Sequence, residues 1–458
     1  MGKLRHFTMA LLAVCLLGTV CSCGKDWLGA KPDKSLVLPS TIADFQALLD
    51  NSSQTFNVAQ ASGLGEISAG DFYITYTSWL SLFTTQERSA YTWEKTADFY
   101  KGEKSGDWVN GYARVLNANV ILEGIEKIKP KTAEEPDWNN VKGSALFFRA
   151  FDFFCLSQQY CKGYDAVAAI SEPGLPLRLD YDVNIALKRS SLQQTYEQII
   201  QDLKNAAAIL GTNPLHKTRP SKQAAYALLA RTYLAMENYD AAGLYADSTL
   251  QIQDQLMDYS KLPVSGTYLI ARFNPEVIFQ SIFSYGIFNT NRLLVDPLLI
   301  NTYAANDLRK SVFFTSVAAG MTYRGSYNGD KSFFGGLATD ELYLIRAEAY
   351  ARKGMLDAAL KDLNDLLKTR WKGNYTPITG DDQEWVLRQV LTERRKELVF
   401  RGLRWTDLRR LNKDYRFSVN LNRTLNGQTY LLMPGDKRYV LPIDESEIAL
   451  SGIAQNER

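Results

Sequence analysis

The sequence predicts a mainly α-helical fold: an interrupted superhelix of helix pairs with a loop-rich ligand-binding face and little β structure. Three observations carry that expectation. Long segments between residues 108 and 411 place apolar residues at helical spacing. Two of these segments repeat one another. The stretches between them are rich in Gly, Ser, Thr and aromatic residues and lack periodicity, as connecting loops do.

Thr41-Ile42-Ala43-Asp44 reads as a capping box that opens a helix through Leu49. Residues 51–106 then read as loop. From Trp108 a helix is expected, because Trp108, Tyr112, Val115, Asn119, Leu122 and Ile125 recur on one stripe. Asn119 is the polar member of that stripe, so it should bond a neighbouring helix or loop. Val141 to Tyr160 is apolar almost all round, the pattern of a buried helix. Pro173 and Pro176 punctuate the next segment, and helices resume over Ser191–Leu210 and Ser221–Met236.

The repeat lies between ARTYLAMENYDAA, from Ala230, and AEAYARKGMLDAA, from Ala347. Ala230 aligns with Ala347, Tyr233 with Tyr350, Asp240 with Asp357, and Ala241-Ala242 with Ala358-Ala359. A small residue, an aromatic, a short polar turn and Asp-Ala-Ala is the grammar of a tetratricopeptide-like helix pair. Such pairs stack to bury a continuous core. The copies are not in tandem, so long insertions interrupt the array. The last helices are expected over Gln383–Phe400 and Gly402–Leu411. Glu393, Lys396, Glu397, Arg401 and Arg404 are spaced there for pairs along the helix, with Trp405 and Leu408 packed inward. One domain over residues 41–458 is expected, its helical scaffold at about 108–250 and 337–411. Loop-rich insertions are expected at about 51–106, 251–336 and 412–440.

Ahead of this domain, Lys3 and Arg5 precede an apolar run from Met9 to Val20, too short to span a membrane. The run fits the core of a secretory signal peptide. Val20-Cys21-Ser22-Cys23 resembles a bacterial lipobox, in which cleavage precedes a cysteine whose sulfur carries lipid. Residues 1–22 would then be the signal, Cys23 the lipidated residue (with palmitate among its acyl chains), and residues 23–40 a polar tether. The alternative is an ordinary cleaved signal with a chance cysteine.

The chain has 458 residues, 22% charged and 46% hydrophobic, which is globular composition. It carries 52 Lys+Arg against 50 Asp+Glu, and loss of the signal removes Lys3 and Arg5 and no acid. A neutral mature chain argues against nucleic acid as the main partner. Of the five cysteines, Cys155 and Cys161 remain for the folded domain. An exported protein can oxidise them to a disulfide. One continuous helix would hold them apart on different faces, whereas a helix ending near Gln159 would let them meet.

Further residues, in order, resemble the SusD/RagB family of Bacteroidetes outer-membrane lipoproteins. They are Ser22-Cys23 with Leu28 and Pro32, Trp108, Tyr112 and Ala118-Asn119, Arg149-Ala150, and Arg219-Pro220-Ser221-Lys222 with Ala224-Ala225-Tyr226 and Leu228-Leu229-Ala230-Arg231. Glu341 to Glu348, Glu393 to Leu398, Arg404-Trp405 with Asp407 to Arg410, and Leu441-Pro442-Ile443 complete the series. Arg401 departs from it, standing where the family often has an acidic residue before Gly402. The resemblance implies a surface-exposed binding protein, helical, with four tetratricopeptide-like units. It also implies an outer-membrane location, a TonB-dependent SusC-like transporter as partner, and an oligosaccharide or peptide ligand for nutrient uptake; a non-nutrient protein-interaction scaffold is the further alternative. Such proteins are not enzymes and carry no cofactor.

Sugar rings offer apolar C–H faces and hydroxyl rims, so their sites combine flat aromatics with planar polar groups. Residues 71–107 hold that mixture in Asp71, Tyr73, Tyr76, Trp79, Arg88, Tyr91 and Trp93. In glycan-binding members of the family the N-terminal loop region supplies ligand aromatics. A second candidate runs from Met321, where Tyr323, Arg324, Tyr327 and Asn328 lie among Gly325, Gly329, Gly335 and Gly336. Asn328-Gly329-Asp330 reads as a hairpin turn rather than a calcium site. Catalytic motifs are missing. His216 stands alone in a polar loop, no His/Cys cluster has zinc spacing, and no Gly-x-Ser-x-Gly elbow occurs.

Overall fold

In the computed structural model, which describes residues 39–186 and 188–458, the expected capping box opens the first helix, α1 (Ile42–Leu49). The Asp44 N–H donates to the Thr41 hydroxyl at 3.1 Å and the Thr41 N–H donates to the Asp44 carboxylate at 2.9 Å. The signal, Cys23 and the tether as far as residue 38 lie outside the described residues.

Residues 51–106 are not the plain loop expected. They carry α2 (Gly63–Ser68), α3 (Tyr76–Leu80) and α4 (Thr85–Thr92). Helices this short do not hold alone in water. The Thr75 and Thr84 hydroxyls cap α3 and α4, and the Trp93 indole N–H donates to the Ser68 carbonyl at the end of α2, at 3.1 Å. Tertiary contact therefore makes helix where no periodicity could be read.

The scaffold begins with α5 (Gly106–Glu126) and α6 (Glu135–Tyr160). Asn119 does as expected: its amide donates to the carbonyls of Arg178 and Asp180, at 2.9 and 3.1 Å, and its oxygen accepts from Arg149 at 2.9 Å. Arg149 in turn clasps both oxygens of Asp202 on α7 (Leu192–Ile209) at 2.8 Å. Such bidentate pairing fixes geometry as well as adding energy. Next come α8 (Lys222–Ala235) and α9 (Tyr239–Leu250). An insertion holds α10 (Pro297–Ile300) and α11 (Arg309–Phe313). The chain closes with α12 (Thr339–Arg352), α13 (Leu356–Lys368), α14 (Gln383–Glu397), α15 (Arg404–Leu411) and α16 (Glu445–Ser451).

Successive helices pack side by side from α5 to α9, and α9 then packs directly on α12. The array is interrupted in sequence and continuous in space. The two repeat copies are α8–α9 and α12–α13. Each turns at the same aligned position through a left-handed residue, Glu237 (φ 60°) in the first and Gly354 (φ 75°) in the second.

Helix makes up 49% of the structure and strand 8%, all of the named strands in two-stranded antiparallel pairs. The longest pairs Leu421–Leu425 with Gln428–Leu432, in a region expected to be loop. Asn426 and Gly427 both take positive φ, as a tight two-residue hairpin turn requires. The Asn328-Gly329-Asp330 turn, by contrast, joins strands of different sheets rather than a hairpin. No helix among the described residues is long and apolar enough to cross a membrane.

The cysteines are free and buried. Because α6 runs on to Tyr160 with Cys161 as its cap, the six-residue spacing turns the thiols to different faces, so no disulfide forms. Burial pushes both thiols up to about 11.

The charged end of α14 also differs from expectation. The helix stops at Glu397, and Phe400 takes φ 58°. Lys396 pairs with Glu393 along the helix at 2.7 Å, but the other charges reach outward. Arg309 of the insertion binds Asp307, Glu393 and Glu397. Arg370 bridges Glu276 and Glu397 at 2.8 Å each. Arg401 pairs with Asp340 at 3.1 Å over the ring of Tyr327. All are buried. A buried pair that loses one partner leaves an uncompensated charge, so this network ties the insertion to the scaffold.

Candidate aromatic binding face

The first candidate stretch starts on a strand pair. Phe72 and Tyr73 pair antiparallel with Val295 and Leu294, and alternation sends Phe72 inward and leaves Tyr73 38% exposed. The Tyr91 hydroxyl holds the next residue by accepting from the Ile74 N–H at 3.0 Å. Thr75 caps α3, where a three-residue spacing sets Tyr76 and Trp79 on one side. Their rings stack, with centroids 5.9 Å apart and planes 16° apart. The Trp79 N–H donates to the Arg88 carbonyl at 3.3 Å, which fixes one edge of the indole. Tyr76 is 39% exposed, Leu80 56% and Phe83 94%. Large apolar side chains in one short exposed stretch mark a contact surface.

Behind this face the polar residues are structural. Asp71 is buried, where its carboxylate accepts two bonds from Arg395, at 3.0 and 2.7 Å. Arg88 is half-buried and donates to the Leu82 carbonyl and the Thr85 hydroxyl. Tyr91 and Trp93 are buried against the guanidinium of Arg423. Asp71, Arg88, Tyr91 and Trp93 thus brace the face and leave Tyr73, Tyr76 and Trp79 on it. Phe83 was not among the residues singled out from the sequence. Its isolated position in Ser-Leu-Phe-Thr-Thr carries no periodic signal, and only the fold shows it fully presented.

Glu66, under the same loop, accepts the Gly402 N–H at 3.0 Å and leaves its other oxygen without a partner. Burial and then the nearby charge of Asp71 push its carboxyl up to about 8, against the pull of the Gly402 N–H and Arg404.

The second candidate stretch is overturned as a ligand surface. Tyr323 is buried among Phe313, Phe314, Phe333 and Phe400. The Tyr327 hydroxyl donates to Glu276 at 2.6 Å, and Asn328 accepts from Gln280 and donates to Asp330, at 2.9 and 2.6 Å. Arg324 spends its guanidinium on the carbonyls of Gly266 and Ser311. The glycines here serve close packing: a Cβ on Gly325 would sit 2.4 Å from Phe313, and one on Gly335 1.7 Å from Gln60. Among the described residues, the carboxylates of Glu276, Asp340 and Glu397 gather within metal-ligand reach of one another. Arg370 and Arg401 are already their cations. His216 is exposed and bonds only Thr218, at 2.9 Å.

Two family models match the chain. One, described as starch-binding associating with outer membrane, matches residues 26–234, and the SusD family model matches residues 339–457. Together they span well over half of the sequence. The chain belongs to the SusD family. Similar solved structures include a SusD superfamily protein from Bacteroides thetaiotaomicron, at 22% identity and a TM-score of 0.69, covering 91% of this chain and 100% of its own. A SusD-like carbohydrate binding protein from Bacteroides vulgatus has 19% identity and a TM-score of 0.68, covering 90% and 97%. A SusD superfamily protein from Parabacteroides distasonis has 16% identity and the same TM-score, 0.68, covering 92% and 100%. At these identities the likeness is one of fold. No curated protein matches the chain significantly. The first match covers the aromatic face and the scaffold from α5 almost to the end of α8, and the second covers α12 to α16.

Proposed function

We propose that this SusD-family chain is a binding lipoprotein of the outer membrane. Lipid on Cys23 anchors it, the aromatic face captures oligosaccharide, and a SusC-like TonB-dependent transporter receives the cargo. It acts as a binding protein and not as a catalyst. The observation that supports this reading most directly is the stacking of exposed Tyr76 on half-buried Trp79, with Tyr73 and Phe83 exposed in the same stretch. An apolar ring face lies flat on such a pair while its hydroxyls stay in reach of water and amides. The carbohydrate-binding description of a structural neighbour points the same way.

Calorimetric titration of the chain from Gly24 onward, with plant, host and microbial glycans and in parallel with mixed peptides, tests the proposal. Trp79→Ala or Tyr76→Ala should weaken glycan binding by about 2 kcal/mol, roughly thirty-fold, the loss expected of a central aromatic anchor. Heat from peptides alone would move the ligand class to peptide on the same scaffold. Glycan binding that both alanine variants leave intact would refute the assigned face.

A further inference from the structure

We infer that a cavity of about 640 Å³ at the C-terminal end of α6 is a second binding site, for a small ligand bearing one carboxylate that pairs with Arg409. The volume is in the range of small-molecule sites, about 300–1,000 Å³. Arg409, Asn412 and Tyr439 line it together with residues 455–457. The Tyr439 ring stacks on Trp405, with centroids 4.8 Å apart, and its hydroxyl accepts from Asn412 at 2.9 Å. Asn456 pins the opposite wall by donating to the carbonyls of Tyr160 and Leu441 at 2.9 and 2.8 Å, and by accepting from Arg189 at 2.7 Å. The cavity is therefore preformed rather than a gap between loose side chains.

Its charges select the ligand. Lys162 pairs with Glu172 at 2.9 Å and Lys437 with Glu457 at 2.8 Å. Lys413 pairs with Glu237, and Asp436 with Arg438. Arg409 alone, among the described charges lining the cavity, faces no side chain of opposite sign. It is 8% exposed, its Nη groups cap the carbonyls of Ser157, Gln158 and Cys161 at the end of α6, and its Nε–H has no partner. Capping a helix C-terminus accounts for the Nη groups. It leaves one buried donor without a partner, and it gives the guanidinium backbone carbonyls rather than a carboxylate as neighbours. Burial accordingly pulls the guanidinium below its ordinary range. A carboxylate entering the cavity supplies the counter-charge that no side chain gives Arg409, while the Tyr439 ring offers an apolar surface to the rest of the ligand.

The test is calorimetric titration of the intact chain with glucuronate, glucose and alanylalanine. One of the two carboxylates should bind at least about tenfold more tightly than glucose. Which one binds tells an acidic sugar from a peptide terminus. Arg409→Gln should abolish that binding. Lys437→Glu, at an exposed rim position that costs the core nothing, should weaken it about tenfold even if the first variant fails to fold. Trp79→Ala should leave it unchanged. Equal binding of glucose, silence from both carboxylates at about 10 mM, or loss of binding in Trp79→Ala with retention in Lys437→Glu would overturn the assignment. Because Trp79 does not line the cavity, the aromatic-face reading stands or falls separately.

Discussion

Replacing Glu66 by glutamine isolates one buried titration. The carboxyl ordinarily loses its proton near 4.5 and holds it to about 8 in the folded chain. Below pH 4.5 both folded and unfolded chains carry the proton, and the full stabilisation relative to high pH is present. Between 4.5 and 8 the unfolded chain has released it and the folded chain has not, so stability falls as pH rises. The interval corresponds to about 5 kcal/mol at 1.36 kcal/mol per pH unit. Other buried carboxyls contribute too. Glu276 is raised to about 7 by burial and adds to the same slope. Asp407 and Glu348, held low against burial by Arg394, Arg410 and Arg352, act in the opposite sense in strong acid. The difference between wild type and Glu66→Gln removes those shared terms. Urea unfolding followed by tryptophan fluorescence, from pH 5 to pH 8.5, measures it. The variant should gain on the wild type steadily across that range, by several kcal/mol in total. Stability curves that stay parallel would refute the reasoning, because Glu66 would then be ionised or solvated in the fold.

Two further outcomes rest on the backbone and on the anchor. Gly354→Ala should cost about 1 kcal/mol of unfolding free energy in urea, a purely backbone effect because nothing lies within 4 Å of the added Cβ. Glu237→Gly, at the aligned left-handed position, should shift stability the other way, by a smaller amount because it also removes the Lys413 ion pair. Cys23→Ser should move the protein from the membrane to the soluble fraction and abolish labelling by palmitate, since each buried acyl CH₂ contributes about 0.8 kcal/mol to anchoring.

The scaffold was legible because long helices leave a periodic trace. The stripe from Trp108, the all-apolar run to Tyr160 and the Asp-Ala-Ala repeat each became the expected helix. Helices of five to eight residues in 51–106 left no such trace, since caps and tertiary contacts make them. Exposed Tyr73 and Tyr76 and half-buried Trp79 lie in the stretch singled out by composition. The Tyr323–Asn328 stretch failed because glycine reads alike whether it frees a loop or admits a neighbour. Gly325 and Gly335 do the second. The charges of α14 misled for a related reason: spacing along a helix reveals its own pairs and is silent on Arg309 and Arg370, which come from far away in sequence.

The direct packing of α9 on α12 bears on how this architecture can diversify. The ends of the segment 251–338 are brought together by the stack itself, so that segment is a closed loop hung on a finished frame. Lengthening such a loop is thermodynamically mild: a doubling adds about 0.6 kcal/mol of closure entropy. Segments of quite different size and chemistry could therefore occupy this position without disturbing the helices beneath. The condition for a new occupant is a matched set of anchors, residues that meet Arg370, Glu393 and Glu397 as Glu276 and Arg309 do here. Any graft that omits them would leave Arg370 and Glu397 to pair only with each other and Glu393 only with Lys396, buried in the frame with half of their partners gone.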